Sequence, residues 1–201
     1  MTLRLPLRTE RLVLRDFRAD DLDAVLAYSG DPEVVRFMFY GPRDAAGARA
    51  YLDAMLASQA ERPRRVFELA VEQDGAVVGA CDLTLEGERE ADLGYILGRS
   101  AWGRGLATEI TRALVRAGFE QLGLERIFAV CAVGHAASAR VLVKAGLRHE
   151  ATLRRFKRAR GRDWDVERYA VTRVKSGDVL RVESSGEQLE LLEERPRSRR
   201  P

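Results

Sequence analysis

The chain has 201 residues, with 34 Lys and Arg residues against 31 Asp and Glu residues, so its net charge is only +3. This length is typical of one domain, and 46% hydrophobic with 32% charged residues is the composition of a soluble globular protein, not of a disordered or membrane-embedded one. No run of about 18 apolar residues is present, which excludes a spanning helix.

Localisation and partners are predicted from what the composition lacks. The first residues do not have the basic and then apolar pattern of a signal peptide, so we expect a cytoplasmic protein with no membrane partner. The two cysteines, Cys81 and Cys131, lie in apolar, strand-like runs without metal-ligand spacing, so we expect buried free thiols and no metal. The basic charge is mostly Arg, which is weak support for nucleic-acid binding, and nucleic acid is not an expected partner.

The first half of the chain carries patterns of both strands and helices. Asp20 and the pair Asp31-Pro32 each favour a helix start, because an acidic cap suits the first turn and Pro suits its first position. The predicted elements are a strand over 11–17, helices over 21–29 and 44–60, a short helical turn from 31 to 40, and strands over 66–73 and 76–85 joined by an Asp74-Gly75 turn.

The second half predicts a crossover and a closing hairpin. The predicted elements are strands over 91–97 and 126–132, a helix between them with its apolar face at 110, 113, 114 and 117, a helix over 135–145 ended by Gly146, and a hairpin of 147–156 and 164–173 around Gly161. This order predicts one mixed α/β domain over residues 1–174. We expect residues 175–201 to be a charged, partly flexible extension with a small acidic helix over 186–194.

The segment from Leu93 to Glu109 is the most informative one for function. Its pattern predicts the end of a strand, then the loop Gly103-x-Gly105-x-Ala107, then an amphipathic helix. Small residues let the backbone approach a ligand, and the free N–H groups and positive end of the helix suit a pyrophosphate. Alone, this pattern also fits a tight strand-to-helix turn, and its spacing is not that of dinucleotide sites.

Four more segments along the chain are informative beside this loop: Thr9-Glu-Arg-Leu-Val-Leu-Arg, Asp31-Pro-Glu-Val, the stretch from His135 to Leu147, and Gly161-Arg-Asp-Trp-Asp with Tyr169. Together the five resemble the GNAT superfamily of acyl-CoA-dependent N-acetyltransferases, specifically the branch of Rim-type ribosomal-protein alanine N-acetyltransferases. The resemblance covers about residues 9–173. It implies the α/β GNAT fold, a mixed and mostly antiparallel sheet with splayed central parallel strands flanked by helices.

The resemblance also implies acetyl transfer from acetyl-CoA, by direct attack, to a primary amine, either a protein N-terminal amine or a small amine. The pyrophosphate is expected on the loop amides, the pantetheine arm along the strand end, and an amide near Ile96 at the thioester carbonyl. His135 stands where the family usually has Asn, and Trp102 where it often has Gln or Arg. The residues expected to hold acetyl-CoA are Ile96, Leu97, Trp102, Gly103, Arg104, Gly105, Leu106, Ala107, Thr108, His135 and Lys144.

Two catalytic residues are predicted, each with a structural alternative. The Rim-type pattern implies that Ser138 protonates the leaving thiolate, while a serine there also suits capping of the helix. A glutamate that is the base in one such pattern falls on Lys157, so we expect Asp92 to act as base, against a solvent-facing role on its strand. Asp165 and Tyr169 are weaker candidates, with structural hydrogen bonding as the default.

The acceptor is expected against an apolar cluster formed by Phe37, Phe39 and Tyr40, whose alternative is ordinary core. Two other functions are left open: a GNAT-fold protein that binds acyl-CoA without catalysis, and a basic RNA-associated module that uses the Arg-rich hairpin. Monomer and homodimer are both compatible with the sequence.

Overall fold

The structure is a computed structural model, and it describes residues 2–173. Its strands are β1 (Leu7–Arg8), β2 (Val13–Arg15), β3 (Val66–Gln73), β4 (Ala76–Glu86), β5 (Glu90–Leu97), β6 (Arg126–Ala132), β7 (Arg148–Ala159) and β8 (Arg162–Thr172). Its α-helices are α1 (Leu22–Ser29), α2 (Ala45–Gln59), α3 (Leu106–Glu120) and α4 (Ala136–Lys144). The eight strands form one sheet in the order β1-β2-β3-β4-β5-β6-β8-β7. Every neighbouring pair is antiparallel except β5 and β6, which confirms the predicted fold class.

The helical turn predicted to begin at Asp31 is present, while two other predicted elements differ from the structure in length. Val35 N–H donates to the Asp31 carbonyl, and the next bonds close tighter turns between residues three apart. The predicted capping by Asp31 is present, since its carboxylate accepts from Glu33 N–H at 3.0 Å. The strand predicted over 11–17 covers only Val13–Arg15, and the closing hairpin is longer than predicted. The extension predicted over residues 175–201 lies outside the described residues.

The two faces of the sheet bury two separate cores. The period-two alternation of β3, β4 and β5 sends Leu69, Leu83 and Leu93 to the face covered by α3. The opposite face packs against α1, α2 and the turns of 31–40, where Ala80 and Ile96 are buried. The small side chains on this second face leave room above the sheet for a cavity.

The parallel strands β5 and β6 separate soon after they meet. Their pairing runs from Glu90 opposite Arg126 only to Asp92 opposite Phe128, although both strands continue. Beyond Asp92 the two strands therefore leave a gap between them, as the sequence resemblance implied. Backbone groups that face this gap are not used by the sheet.

Candidate active site

The loop before α3 has the backbone conformation of an anion cradle. Gly103 and Gly105 have φ angles of 71° and 78°, in the left-handed region that favours glycine. Gly105 is the N-cap of α3, and no side chain caps it, so the first-turn amides of Leu106, Ala107 and Thr108 are available to a ligand. The loop itself is exposed. Because the first helical turn adds a positive dipole end, this geometry fits a pyrophosphate.

The N-terminal segment fixes this loop from outside. Arg11 donates from Nε to Glu109 Oε2 at 2.7 Å and from Nη1 to the Arg104 carbonyl at 2.8 Å. The Thr9 hydroxyl donates to Glu109 Oε1 at 2.6 Å. Burial would raise the pKa of Glu109, but these hydrogen bonds outweigh it and lower the pKa. The Arg104 side chain reaches Gln73 Oε1 at 3.0 Å, so it lies over the sheet beside the loop.

The end of β5 presents its backbone to the gap. Gly98 N–H donates to the Val78 carbonyl at 2.8 Å. Because backbone hydrogen bonds alternate along an antiparallel pair, the backbone N–H and C=O of Ile96 also point toward β4, while those of Tyr95 and Leu97 point toward the gap. The Leu97 carbonyl accepts from Trp102 Nε1 at 2.7 Å, which agrees with this direction. Trp102 is 45% exposed and is held beside the gap by that bond.

Ser138 lies on α4 and is paired across the gap. Its Oγ is 2.9 Å from the Tyr95 hydroxyl, and either oxygen can donate. Burial raises the pKa of Tyr95 to about 12, so the phenol keeps its proton at neutral pH. The hydroxyl of Ser138 thus contacts the Tyr95 side chain of β5 at the gap and does not cap α4.

His135 and Lys144 lie at opposite ends of α4. His135 is the N-cap residue of α4 without a side-chain capping bond, and its ring stacks on Phe37 with centroids 4.2 Å apart and planes 10° apart. Burial lowers the pKa of His135, so the imidazole is neutral. Lys144 is exposed, and its carbonyl accepts from Arg112 of α3 at 2.6 Å.

The predicted acceptor residues all line one cavity, which has a volume of about 340 Å³. Phe37 contributes the ring stacked on His135, and Phe39 packs edge-on to Trp164 of the closing hairpin at 5.7 Å. Tyr40 stacks on Arg43, with the guanidinium carbon 3.9 Å from the ring centroid. The cavity continues into the gap, where it meets β5, β6 and Ser138.

Two carboxylates that the sequence did not single out line the same cavity. Glu68 of β3 and Asp82 of β4 are direct partners in the sheet, and Asp82 is opposite Gly94 of β5. A Cβ at Gly94 would lie 2.3 Å from Asp82 Oδ1, so only glycine leaves room for this carboxylate over β5. The Tyr51 hydroxyl donates to Glu68, and the Thr84 hydroxyl lies 3.3 Å from Asp82 Oδ2.

These two carboxyl groups have different charge states at neutral pH. Burial, and next the charge of Asp82, raise the pKa of Glu68 to about 8, with Arg43 acting against them. Burial raises the pKa of Asp82 to about 6, against the lowering effect of its hydrogen bond with Thr84. Glu68 is therefore mostly protonated and Asp82 mostly ionised at pH 7. A carboxylate with a pKa near the working pH is suited to general base catalysis.

The remaining acidic candidates lie elsewhere. Asp92 is on the same strand face as Gly94 but at the point where β5 and β6 still pair, below the part of β5 that lines the cavity. Asp165 accepts from Arg154 Nη1 at 2.7 Å and from Arg155 N–H at 2.8 Å, so it has the structural role that was its default. Tyr169 donates to Glu167 at 3.1 Å.

Cys81 and Cys131 are buried free thiols, as predicted. Within residues 2–173, no group of three or more His, Cys, Asp or Glu side chains is arranged to hold a metal ion. Over the same residues, no helix combines the length and the apolar character that crossing a membrane requires.

A splayed pair of parallel strands, an anion loop on one side and a cavity with carboxylates on the other define an acyl-transfer type of site. Residues 11–148 match the family model described as an acetyltransferase (GNAT) domain. The chain is 34% identical over 172 residues to a Bacillus licheniformis protein described as uncharacterized N-acetyltransferase p20, covering 82% of this chain and 94% of that protein. The chain belongs to the GNAT acetyltransferase family.

Solved structures agree with this assignment. A GNAT-family acetyltransferase from Bacillus anthracis superposes with a TM-score of 0.73 at 25% identity, covering 83% of this chain and 97% of that one. A spermidine N-acetyltransferase from Vibrio cholerae, solved with CoA and spermine, shares the fold with a TM-score of 0.69 at 18% identity, covering 82% and 96%.

Proposed function

We propose that this protein transfers the acetyl group of acetyl-CoA to a primary amine by direct attack. The observation that carries this proposal is the gap between β5 and β6, because the cavity reaches it from the carboxylate face while Ser138 and Tyr95 border it. A donor held by the loop before α3 and an acceptor held in the cavity meet at this gap. The Rim-type resemblance of the sequence motifs belongs to the same proposal.

The loop amides from Gly103 to Thr108 bind the pyrophosphate, and the pantetheine arm follows β5 past Ile96 and Leu97. Trp102, Arg104, His135 and Lys144 border this path. An amide of β5 that faces the gap, at Tyr95 or Leu97, hydrogen-bonds the thioester oxygen as negative charge develops on it.

The transfer is balanced by three proton movements. The ammonium group of the acceptor first gives a proton to a carboxylate, and Asp82 is best placed for this because it lies on the cavity floor beside the gap. The amine nitrogen then bonds to the acetyl carbon, the carbon–sulfur bond breaks, and the departing thiolate takes a proton from Ser138, which Tyr95 orients. The acetylated nitrogen still has two hydrogens and a positive charge, and it gives up one of them to restore the Ser138 hydroxyl. Asp92 is the second candidate base. CoA release by Asp92→Asn is therefore compared with CoA release by Asp82→Asn.

The test is acetyl-CoA binding by calorimetry together with release of free CoA on addition of an amine panel. We expect Gly105→Glu to abolish both, because a carboxylate is placed against the pyrophosphate. Gly75→Glu is the matched control, since Gly75 also has a positive φ, 81°, with open space around it in a hairpin turn. Binding without CoA release across the panel favours the non-catalytic acyl-CoA-binding alternative. Equal binding by both variants refutes the loop as the cofactor site.

A further inference from the structure

The acceptor cavity contains a fixed positive group as well as its carboxylates. Arg43 lies between two tyrosine rings, with its guanidinium carbon 3.9 Å from the centroid of Tyr40 and 4.3 Å from that of Tyr51. All three residues line the cavity. The guanidinium thus contacts the faces of two tyrosine rings, and its N–H groups are the part of it that forms hydrogen bonds.

One of those N–H groups has no partner. Arg43 Nη1 is buried from solvent and makes no hydrogen bond with any of the described residues. A buried, charged donor without an acceptor is unfavourable, and the usual acceptor for the edge of a guanidinium is a carboxylate or phosphate. Because Arg43 also lines the cavity, its guanidinium is the group there that would bind one anionic group.

The positive charge of Arg43 lies near the Glu68 carboxyl, whose pKa it lowers. Tyr51 stacks on Arg43 with its ring while its hydroxyl donates to Glu68, so one side chain fixes both groups. Asp82 is the next residue across the sheet from Glu68, toward the gap. The polar lining of the cavity thus runs from Arg43, past Glu68, to Asp82 beside β5.

One wall of the cavity is apolar, and the cavity is small. Phe37, Met38 and Phe39 line the cavity, whose volume of about 340 Å³ is at the small end of ligand sites. This space fits a compact molecule with an apolar side chain. A polyamine brings no anion for Arg43, and the N-terminus of a protein has an uncharged peptide carbonyl where a free amino acid has its carboxylate.

We propose that the acceptor is a free α-amino acid with an apolar side chain, whose carboxylate binds the edge of Arg43 and whose amine lies at Asp82. This inference rests on the proposed function, because the amine it places is the one that is acetylated. The carboxylate is an anchor and takes no part in the transfer. The apolar side chain packs against the aromatic wall.

The test compares matched acceptors that differ only at the carboxylate. Phenylalanine, phenylalaninamide and 2-phenylethylamine are each titrated into the protein saturated with CoA, and each is assayed for CoA release with acetyl-CoA; leucine and leucinamide repeat the comparison. We expect kcat/KM for the acids to exceed that for the amides by at least tenfold. Spermidine and a peptide with a free N-terminal alanine test the other two acceptor classes.

Arg43→Gln and Arg43→Lys separate anchoring from folding. We expect Arg43→Gln to reduce kcat/KM for the acids to the level of the amides while the values for the amides change little, and Arg43→Lys to restore part of the difference. Acceptance of amides, spermidine or the peptide at least as well as the acids overturns the proposal, while leaving the acetyltransferase function intact. An equal loss for acids and amides in Arg43→Gln also overturns it.

The binding titration distinguishes the two proposals. If the acids bind tighter than their amides and yet no CoA is released, the site for an amino acid stands and the proposed acetyl transfer fails. If neither acids nor amides bind at millimolar concentration, the amino-acid site is refuted.

Discussion

Replacement of Asp82 by Asn is expected to make the protein more stable and less active. Burial raises the pKa of Asp82 from its ordinary 3.8 to about 6. Between pH 4 and 6 the folded protein thus holds a proton that the unfolded chain has lost, so its stability falls as pH rises through this window. The destabilisation caused by the ionised Asp82 is absent below about pH 4 and reaches its full size above the pKa that Asp82 has in the folded protein.

The size of this destabilisation is set by the difference between the pKa values of Asp82 in the unfolded and the folded protein. At about 1.4 kcal/mol per pH unit, the ionised Asp82 costs the folded state about 3 kcal/mol at pH 8. Asn keeps the shape of Asp and an oxygen for the Thr84 hydroxyl, but it has no charge. In a domain of this size, about 3 kcal/mol corresponds to an increase of about 6–12 °C in Tm.

The assay is urea unfolding of wild type and Asp82→Asn from pH 4.5 to pH 8. We expect the difference in unfolding free energy to grow by about 2 kcal/mol across this range, with CoA release reduced at least 100-fold. Asp53→Asn is the control, because Asp53 is an exposed carboxylate on α2 and its loss is expected to change stability by less than about 0.5 kcal/mol. A difference for Asp82→Asn that is flat with pH would refute the burial argument.

Three other changes test separate parts of the site and fold. Ser138→Ala is expected to lower kcat by about 10²-fold with the Kd of acetyl-CoA unchanged, measured by steady-state kinetics and calorimetry, and an unchanged kcat would return Ser138 to a structural role. Gly94→Ala is expected to lower kcat/KM at least tenfold without changing the circular dichroism spectrum, because its Cβ would meet Asp82 Oδ1 at 2.3 Å. Arg15→Met is expected to lower the free energy of unfolding by about 3–5 kcal/mol in urea at pH 7, because it leaves the buried Asp21 carboxylate without its two 2.8 Å hydrogen bonds from Arg15. This pairing holds the pKa of Asp21 below its usual value, so the loss of stability should become smaller as the pH falls below about 4.

The order of elements could be predicted because each strand and helix has its own local signal. The strands have period-two patterns, the Asp74-Gly75 turn marks the first hairpin, and Gly146 follows the C-cap residue of the last helix. Asp31-Pro32 predicts the helical turn that the structure shows at the start of residues 31–40, but this local signal does not say how far the turn continues. Packing of Val34 and Val35 against α1 and α2 decides between turns and a helix there, and this packing is a tertiary effect.

The loop side of the site could be predicted for the same reason. Its glycines, helix and strand are contiguous in sequence, so one segment shows the whole cradle. The pairing of Glu68 with Asp82 is different, because it depends on strand register. The turn places Gln73 opposite Ala76, and this register would put Glu68 opposite Cys81. A bulge at Val78 shifts the partner by one residue and brings the two carboxylates to the same face.

The cost of these carboxylates is itself an argument for their role. Each carboxyl is buried, and the charge of Asp82 disfavours ionisation of Glu68, so an alanine or a leucine in either position would favour folding. Tyr51 and Thr84 supply hydrogen bonds that reduce this cost without removing it. Gly94 carries a further cost, since glycine weakens the strand in which it lies. Three neighbouring strands thus each hold a residue that is poor for stability, in one row beside the gap. Such a row is explained by a positively charged amine that enters the cavity, because it supplies a positive charge beside Asp82, whose raised pKa no neighbouring cation within residues 2–173 offsets.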